Sequence, residues 1–509
     1  MGDEKSKAKP VKLTLVTDNA AGAAAPLVEG GGDGSEPDLR PVQFSDDAIA
    51  RALSEQLGAE WRHAGGDWYR WNGRRWMVEK TQLVLDISRK VCRGMSHEAD
   101  NQKIARQISS KSVIYAASKL AENDRAHATE LNAFDADDWL INTPDGPVAL
   151  HKGNLCVADP DLLMSKIAGA GPGDADAKNA PECPNFLAFL RQATGRDQDL
   201  MNFLQRAVGY CLTGSIEEHA IFFLHGPGGT GKSLFLSTLT DLLGDYAQPA
   251  PMDLFTVSTG ERHPADLALL HGARLVTASE TEEGRRWDEA KLKAITGGDP
   301  ITARRIRQDY FTFRPKFKLF MAGNFRPAMR SADDAMRRRF HIIPFVHKPE
   351  KADKDLPDKI RGELAGVMRW AIAGALEWQR IGLNPPVGVR SATDDYFAAE
   401  NVMAKFVAER CETGGEELTA LTKDLFRDFK SWAATTGEYV GSERRFVQRL
   451  EKEGVKRWRH PATRAMGFCG IKLLHVPDDM FGGGVGARKS SAPDPTADYR
   501  TDPADEFDR

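Results

Sequence analysis

Residues 221–243 read "IFFLHGPGGTGKSLFLSTLTDLL", and the order of residue types in this stretch decides the fold class of the chain. A short apolar run predicts a buried strand, a glycine-rich turn follows, and an apolar stripe at helical spacing predicts an amphipathic helix. The glycines of Gly226-x4-Gly231-Lys232-Ser233 let backbone N–H groups wrap an anion at the helix N-terminus, where the helix dipole favours negative charge. A glycine-rich turn that binds nothing is the alternative, but the flanking strand and helix favour a binding loop.

The same pattern indicates which anion the loop would hold. A lysine at the position of Lys232 reaches β- and γ-phosphates, and a hydroxyl at the position of Ser233 ligates Mg²⁺. We therefore expect ATP and Mg²⁺ as cofactors. The predicted nucleotide contacts are Gly226, Pro227, Gly228, Gly229, Thr230, Gly231, Lys232 and Ser233. The pattern alone does not separate a motor that acts on a polymer from a small-molecule kinase.

Acidic residues follow a second predicted strand, in "RLVTASETEE", residues 274–283. The Glu280 carboxylate could hold the Mg²⁺ shell or orient the attacking water. Glu282 is close enough in sequence to share that role. The alternative is that Glu282 and Glu283 form only a solvated acidic turn.

A third predicted strand, in "FKLFMAGNFRP", residues 317–327, ends in Asn324. Its side chain could contact the γ-phosphate or the attacking water, whereas the alternative is an asparagine that only begins a turn. Because it follows the glycine-rich loop and the acidic segment, we interpret Asn324 as a catalytic residue.

Short apolar runs bounded by turn or polar residues predict a parallel sheet buried on both faces. These runs are "IFFLH", "RLVTASE", "FKLFMAGN" and "FHIIPF". An apolar stripe in residues 199–214 predicts a helix ended by Gly214, and residues 357–378 predict another. The fold class is therefore α/β over residues 197–385.

The remaining chain predicts two further domains and two tails. Residues 1–43 and 482–509 contain few large apolar side chains and are expected to be disordered. Residues 44–196 predict an α+β domain. Residues 400–475 place two or three helices before a basic hairpin, which is the order of a winged helix.

The α+β domain is predicted from local signals. Ser45 or Asp46 would cap an amphipathic helix over residues 45–57. Asn72-Gly73 would form the turn of a hairpin between alternating aromatic residues, and helices and turn-rich strands would follow. The tryptophans here could stack on nucleic acid bases, but we interpret them as the core of a small domain; they are Trp61, Trp68, Trp71 and Trp76.

Composition bounds the class of protein. The chain has 509 residues, with 69 basic and 73 acidic side chains and a formal net charge of −4. Overall charge therefore says nothing about a nucleic acid partner, and only local clusters of charge can indicate one. The six cysteines lack the close spacing of a zinc or redox motif, which favours a reducing compartment. No stretch approaches the ~18 apolar residues of a membrane span, and no signal peptide is evident. We therefore expect a soluble, cytoplasmic protein without membrane contact.

In this order, the motifs resemble those of superfamily 3 helicases, in particular the ATPase half of phage, plasmid and poxvirus primase-helicases. The resemblance covers about residues 45–475. It is carried by "INTPDGPVAL", "FLQRAVGYCLTG", "FFLHGPGGTGKS", "LKAITGGDPITARRIR", "FKLFMAGNFRP" and "DDAMRRRFHIIPF". No separate primase domain is visible, because the residues before about 44 are too few and too polar.

The resemblance implies an AAA+-like P-loop ATPase core and an ATP-driven ring helicase that moves on single-stranded or forked DNA. The expected assembly is a homo-oligomer, in particular a hexameric ring, with any primase supplied as a separate protein. The compositional bias hints at a phage or plasmid of a GC-rich bacterium.

Three consecutive arginines lie in "DDAMRRRFHIIPF", residues 333–345. Family members use an arginine at this place as a finger on the neighbouring subunit's phosphates, which a guanidinium suits as a fixed planar donor. We interpret Arg338 and Arg339 as finger and sensor, and Arg337 as structural. In the alternative interpretation, two of the three form ion pairs with Asp333 or Asp334.

The segment "ITARRIRQDYFTFRPKFK", residues 301–318, predicts a basic hairpin. The resemblance implies that it lines the ring channel and contacts DNA phosphates, and a solvated charged hairpin is the alternative. The predicted DNA contacts are Arg304, Arg305 and Arg307, with Lys316 and Lys318 on the opposite arm.

Two other functions remain open at this point. The chain could be an ATP-regulated DNA-binding initiator that does not unwind DNA, or a P-loop small-molecule kinase. The basic residues of the predicted winged helix could bind DNA or a protein partner equally well.

Overall fold

The computed structural model describes residues 41–174, 180–257, 265–279, 285–304, 310–329 and 333–474. The predicted disordered tails lie outside these residues, apart from residues 41–43. The chain divides into two compact units, Met1–Gly58 with Thr81–His127, and Ala59–Lys80 with Ala128–Arg509.

The helices, numbered along the chain, are α1 (Asp46–Leu57), α2 (Leu83–Glu98), α3 (Gln102–Ile108), α4 (Lys111–Ala121), α5 (Pro184–Ala193), α6 (Gln198–Leu212), α7 (Lys232–Leu243), α8 (Ala265–Ala268), α9 (Glu289–Gly297), α10 (Asp334–Arg337), α11 (Leu356–Gly362), α12 (Leu364–Ile381), α13 (Val387–Ala399), α14 (Val402–Arg410), α15 (Thr422–Thr436) and α16 (Glu443–Lys452).

The strands are β1 (Trp61–Ala64), β2 (Asp67–Trp71), β3 (Trp76–Val78), β4 (Leu140–Thr143), β5 (Gly146–Ala149), β6 (Asn154–Leu155), β7 (Ile221–His225), β8 (Ala247–Pro249), β9 (Leu275–Ser279), β10 (Ile301–Arg304), β11 (Tyr310–Phe313), β12 (Lys318–Gly323), β13 (Phe340–Pro344), β14 (Cys411–Thr413), β15 (Thr419–Leu421), β16 (Lys456–Arg459), β17 (Met466–Cys469) and β18 (Ile471–Leu473).

The first unit contains helices α1 to α4. The predicted cap of α1 is confirmed: the Ala48 amide donates to Ser45 Oγ at 3.2 Å, which satisfies one of the unpaired amides of the first turn. Apolar side chains from all four helices form its core, including Ile49, Cys92 and Ile108. The helices predicted to follow the hairpin are present, as α2 to α4.

The second unit begins with the antiparallel sheet β1-β2-β3, whose turn at Asn72 and Gly73 is as predicted. Trp61 and Trp76 are buried and Trp68 and Trp71 are partly buried, so these rings pack as a core. Further along the chain, the segment before α5 contacts the helix that follows the glycine-rich turn, for example where the Gly169 amide donates to the Leu242 carbonyl at 2.9 Å.

The centre of the second unit is a five-stranded sheet in the order β13-β7-β12-β9-β8, and every neighbouring pair is parallel. This confirms the predicted α/β class with a buried parallel sheet. Alternate residues of β7 enter two different cores: Phe222 and Leu224 pack with α6, α7 and α12, whereas Ile221 and Phe223 pack with α9 and α13. Burial on both faces explains why the strands are continuously apolar.

One predicted helix of the central region differs from the structure, and one strand of the central sheet was not predicted. The sequence predicted one helix over residues 357–378, but α11 ends at Gly362 and α12 begins at Leu364. Glu363 lies at this break and uses its carboxylate to accept hydrogen bonds from the first turn of α5. The edge strand β8 was not predicted, because three residues that include a proline carry no recognisable strand pattern.

The last part of the chain contains α14 to α16 and two small antiparallel sheets, β14-β18 and β15-β17-β16. Its core includes Phe406, Phe429, Trp432 and Phe446. The predicted order of helices followed by a hairpin is present, while β14 and β15 were not predicted.

Among the described residues, no helix is long and apolar enough to cross a membrane.

Candidate functional site at the carboxyl edge of the sheet

The glycine-rich loop, residues 226–233, starts directly after β7 in the middle of the sheet. The register pairs His225 of β7 with Gly323 of β12 on one side and with Pro344 of β13 on the other. The loop therefore lies at the carboxyl edge of the parallel strands, between two neighbours, and α7 begins at Lys232. Ligand sites of open parallel sheets form at this edge.

Glycine is required at both ends of the loop. A Cβ at Gly226 would lie 1.9 Å from the Phe345 carbonyl oxygen. At Gly231, where φ is 93°, a Cβ would lie 2.4 Å from the Phe189 ring of α5. Both positions therefore combine close packing with a backbone conformation that side chains disfavour, and this fixes the path of the loop.

Lys232 and Asn324 are brought together from positions 92 residues apart. The Lys232 ammonium donates to Asn324 Oδ1 at 2.9 Å, to the Gly226 carbonyl at 2.5 Å and to the Pro227 carbonyl at 2.9 Å. Only 8% of Lys232 is exposed, and burial lowers the pKa of its ammonium. The contact places a cation and an amide oxygen at the same point beside the loop.

Ser233 faces a cavity of about 450 Å³ between α7 and the ends of β8 and β9. Thr240, Thr277 and Ser279 bring further hydroxyl groups to this cavity. Such hard oxygen donors fit Mg²⁺, although the described residues include no cluster of three or more potential His, Cys, Asp or Glu ligands. Glu280, Glu282 and Glu283 lie outside the described residues, directly beyond the end of β9.

A second cavity at the same edge, of about 330 Å³, contains residues that sequence reasoning missed. It is lined by His225, Asn324, Arg326 and Glu400, among others. Burial, with smaller effects of the Arg326 and Lys232 charges, lowers the pKa of His225. Its position as the last residue before the glycine-rich loop was the available signal in the sequence.

The arginine cluster, residues 337–339, lies at the opposite edge of the sheet. The Arg339 carbonyl accepts from the amide of Ile221, the first residue of β7, so the cluster borders the amino edge. Arg337 forms an ion pair with Asp394 of α13 at 2.7 Å. Arg339 donates to Thr296 Oγ1 at 3.1 Å and to the Ala335 carbonyl at 2.7 Å.

Arg338 differs from its two neighbours in the cluster. It is exposed, and its guanidinium has no hydrogen-bond or ion-pair partner in the described part of the chain. The alternative that the arginines pair with Asp333 or Asp334 is wrong for Asp333, which caps α10 and pairs with Lys293 at 2.5 Å.

The predicted basic hairpin is confirmed as β10 and β11, which pair from Ile301 with Phe313 to Arg304 with Tyr310. The Arg304 guanidinium lies over the Tyr310 ring, 5.3 Å from its centre. Arg305 and Arg307 fall outside the described residues.

The prediction that Lys316 and Lys318 form the opposite arm of the hairpin is wrong. Strand β11 ends at Phe313, Lys316 pairs with Asp138 at 2.6 Å, and Lys318 is the buried first residue of β12. The long apolar side chain of lysine allows it to begin a core strand when its ammonium finds acceptors.

Two family models match parts of the chain. Residues 47–195 match the model described as "D5 N terminal like". Residues 224–339, which include the glycine-rich loop and the arginine cluster, match the model described as "Family of unknown function (DUF5906)".

The relatives are viral proteins named as helicases. The chain is 22% identical over 443 residues to "Putative helicase L207/L206" of Acanthamoeba polyphaga mimivirus, covering 77% of this chain and 46% of that protein. It is 24% identical over 282 residues to "Putative helicase 022R" of Frog virus 3 (isolate Goorha), covering 51% and 29%. "Putative helicase V13" of Sputnik virophage is 27% identical over 163 residues, covering 30% and 21%. The chain spans less than half the length of each of these relatives.

Among solved structures, the apo A form of the NrS-1 C-terminal region is similar, with a TM-score of 0.46 and 12% identity. The match covers 83% of this chain and 98% of that one.

Proposed function

We propose that this chain is an ATP-hydrolysing DNA helicase of the superfamily 3 type, with an AAA+-like P-loop core. The observation that carries the proposal is the contact of the Lys232 ammonium with Asn324 Oδ1 at 2.9 Å, beside a glycine-rich loop at the carboxyl edge of a parallel sheet. The match to viral proteins named as helicases supports the same function. The resemblance of the motifs from Gly226 to Arg339 supports the narrower class.

Each group at this edge has a role in the proposal. The loop amides and the Lys232 ammonium bind the phosphates of ATP, because a phosphate oxygen is a stronger acceptor than the carbonyls that Lys232 contacts. Asn324 orients the γ-phosphate or the attacking water. Ser233 would hold Mg²⁺ with Glu280 or Glu282, and the ion would neutralise phosphate charge.

We assign the trans-acting finger to Arg338. A five-residue parallel strand such as β7 is about 16 Å long, so a residue at the amino edge is separated by that distance from the loop of its own chain. An arginine there can serve a phosphate on an adjoining copy if the copies associate head to tail, and repetition of such a contact closes a ring. The resemblance to ring helicases makes a hexameric homo-oligomer the proposed assembly.

DNA would contact the β10–β11 hairpin through Arg304, Arg305 and Arg307, and residues 400–475 would act as a winged helix. The contacts proposed for the hairpin arginines are independent of base sequence, because they are electrostatic contacts with phosphates. Residues 44–196 and 197–385 stay as the proposed N-terminal domain and ATPase core, and a primase would be a separate protein.

The test is ATP hydrolysis and duplex unwinding by the wild type and by Lys232→Ala, with Lys359→Ala as a matched control. Lys359 is an exposed lysine of α11 that pairs with Asp353. We expect Lys232→Ala to lose both activities by at least about 100-fold, because phosphate charge is left unmatched, and Lys359→Ala to keep them.

Three outcomes would contradict the proposal in different ways. Hydrolysis by the wild type that single-stranded DNA does not stimulate would favour the small-molecule kinase. Duplex opening by Lys232→Ala would favour the initiator that uses ATP only for assembly. Full hydrolysis by Lys232→Ala would remove the glycine-rich loop as the site.

A further inference from the structure

A pocket of about 570 Å³ lies at the amino edge of the sheet, and we call it the amino-edge pocket. Arg274 precedes β9, and Lys316 lies two residues before β12, so the pocket borders the start of two central strands. The β10–β11 hairpin contributes Thr312 and Phe313, and Arg314 follows it directly. Its volume is within the ~300–1,000 Å³ of small-ligand sites.

Four lysine and arginine side chains line the pocket, and of these Lys316 pairs with Asp138 at 2.6 Å while Lys166, Arg274 and Arg314 form no ion pair among the described residues. Lys166 donates to the Asp245 carbonyl at 3.2 Å, and Arg314 has only a long contact of 3.5 Å to the Gly298 carbonyl. Arg274 is 3% exposed and donates to the carbonyls of Leu212, Asp137 and Leu140 at 2.5, 3.0 and 2.6 Å. Within the described residues, none of these three cations forms an ion pair.

Asp135, the one carboxylate that the described residues contribute to the lining, already accepts hydrogen bonds. Asp135 Oδ1 accepts from the amides of Ser165 and Lys166 at 3.1 and 3.2 Å, and its Oδ2 accepts from the Ser165 hydroxyl. Asp135 therefore fixes the backbone that carries Lys166, and its charge, with that of Asp245, only partly offsets the burial that lowers the pKa of Lys166. An anionic ligand would supply the missing counter-charge.

Aromatic rings also line the amino-edge pocket. Tyr69 and Phe134 stack with their centroids 4.6 Å apart, and each is 8% exposed. Phe313 packs edge-on with His271 at 5.3 Å. Cations beside aromatic surfaces are the combination that binds a phosphate together with its base.

We propose that the amino-edge pocket binds one nucleotide unit of single-stranded DNA next to the hairpin, with its phosphate at Lys166 and Arg314 and its base against the rings. This site is separate from the glycine-rich loop, which lies at the carboxyl edge of the same sheet. The inference rests on the proposed function in one respect, namely that the hairpin contacts DNA.

The experiment compares Lys166→Gln/Arg314→Gln with the wild type and with Lys359→Gln/Arg380→Gln, which removes two charges from exposed helix surfaces. The readout is the anisotropy of fluorescein-labelled oligo(dT) without ATP, over a series of salt concentrations. We expect the pocket variant to bind about 10-fold more weakly or worse. The slope of the logarithm of its association constant against the logarithm of the salt concentration should fall by about 0.7, because the pocket binds one phosphate. The control variant should match the wild type.

Basal ATP hydrolysis by the pocket variant shows that it is folded and keeps this test distinct from that of the proposed function. If hydrolysis and its stimulation by DNA persist in the wild type while the pocket variant binds oligo(dT) with unchanged affinity and salt slope, the pocket proposal is wrong and the helicase proposal stands. If the wild type hydrolysed ATP no faster than Lys232→Ala, the proposed function itself would be contradicted.

A second measurement locates the strand directly. Oligo(dT) containing 4-thiothymidine is cross-linked to the wild type by light, and the cross-linked peptides are identified by mass spectrometry. Peptides that contain Tyr69, Phe134 or Phe313 would support the proposal. Cross-links confined to other segments would overturn the assignment to the DNA strand. So would competition in which free dTMP, but not unmodified oligo(dT), prevents cross-linking of these peptides.

Discussion

Lys318 begins the central strand β12 with only 1% of its surface exposed. Its ammonium donates to the carbonyls of Thr213 and Ser215 at 2.5 and 3.2 Å, and lies 4.7 Å from the centre of the Tyr210 ring. These acceptors hold the start of β12 against the end of α6. Burial nevertheless lowers the pKa of Lys318 from its usual 10.5 to about 7.

This pKa gives a pH dependence whose sign can be stated. Between pH 7 and 10.5 the unfolded chain keeps a proton that the folded chain has released, so the free energy of unfolding rises with pH in this window. From pH 7 to 9, the wild type should gain about 2 kcal/mol relative to Lys318→Met, which has no proton to lose. Urea-induced unfolding of both proteins at the two pH values measures this difference.

The matched control is Lys359→Met, because Lys359 is exposed and its partner Asp353 raises its pKa. Its difference from the wild type should be the same at pH 7 and 9. A constant difference for Lys318→Met as well would show that Lys318 stays charged in the folded protein.

At the scale of elements, Glu363 connects the break between α11 and α12 to the start of α5. One carboxylate oxygen accepts from the Asn185 amide and the other from the Phe186 amide, both at 3.1 Å. A carboxylate at a helix N-terminus is stabilised by the unpaired amides and the helix dipole. Helix α5 also carries Phe189, which packs against Gly231, so this cap supports the glycine-rich loop from behind.

Glu363→Ala should lower the free energy of unfolding by about 1–2 kcal/mol, because two helix amides lose a charged acceptor. The control is Glu377→Ala, which removes a glutamate of α12 paired with the exposed Arg380. Thermal unfolding followed by circular dichroism measures both variants. Equal, small losses in the two proteins would exclude a capping role for Glu363.

For the whole molecule, the important geometry is that the glycine-rich loop and the arginine cluster lie at opposite edges of one parallel sheet. Strands β7 and β13 run in the same direction, so the segment before β13 borders the amino edge while the loop after β7 borders the carboxyl edge. Arg338 is the member of the cluster whose side chain has no intramolecular partner in the described part of the chain. We therefore propose the trans-acting role for Arg338 and not for Arg337.

This assignment predicts complementation between two inactive variants. Lys232→Ala and Arg338→Ala should each lose ATP hydrolysis. Each active site would join the loop of one copy to the arginine of another. In an equal mixture that assembles at random, about a quarter of the sites would therefore combine an intact loop with an intact arginine and recover hydrolysis. Hydrolysis rates of the separate and mixed variants measure this recovery.

The control for complementation is Arg337→Ala, which breaks an ion pair with Asp394 and should keep hydrolysis. A mixture that stays inactive would contradict the head-to-tail interface, and an active Arg338→Ala would contradict the choice of arginine.

Local signals were enough to predict much of the fold. The continuous apolar runs around Phe222 and Phe320 predicted strands buried on both faces, and the structure pairs them in one parallel sheet. Ser45 and the Asn72-Gly73 turn were likewise read from neighbouring residues. The strand β8 and the break at Glu363 were missed, since their causes are contacts with distant segments.

The candidate site was only partly predictable for the same reason. The sequence alone determined the glycine-rich loop, the strand before it and the helix after it, because backbone conformation and hydrophobic period act within a few residues. Only the tertiary structure decided that Lys232 meets Asn324, that Lys318 is buried, and that residues from Tyr69 to Lys316 line one pocket. Those contacts depend on how strands far apart in the chain are ordered in the sheet, and that order is set by packing on both faces of the sheet at once.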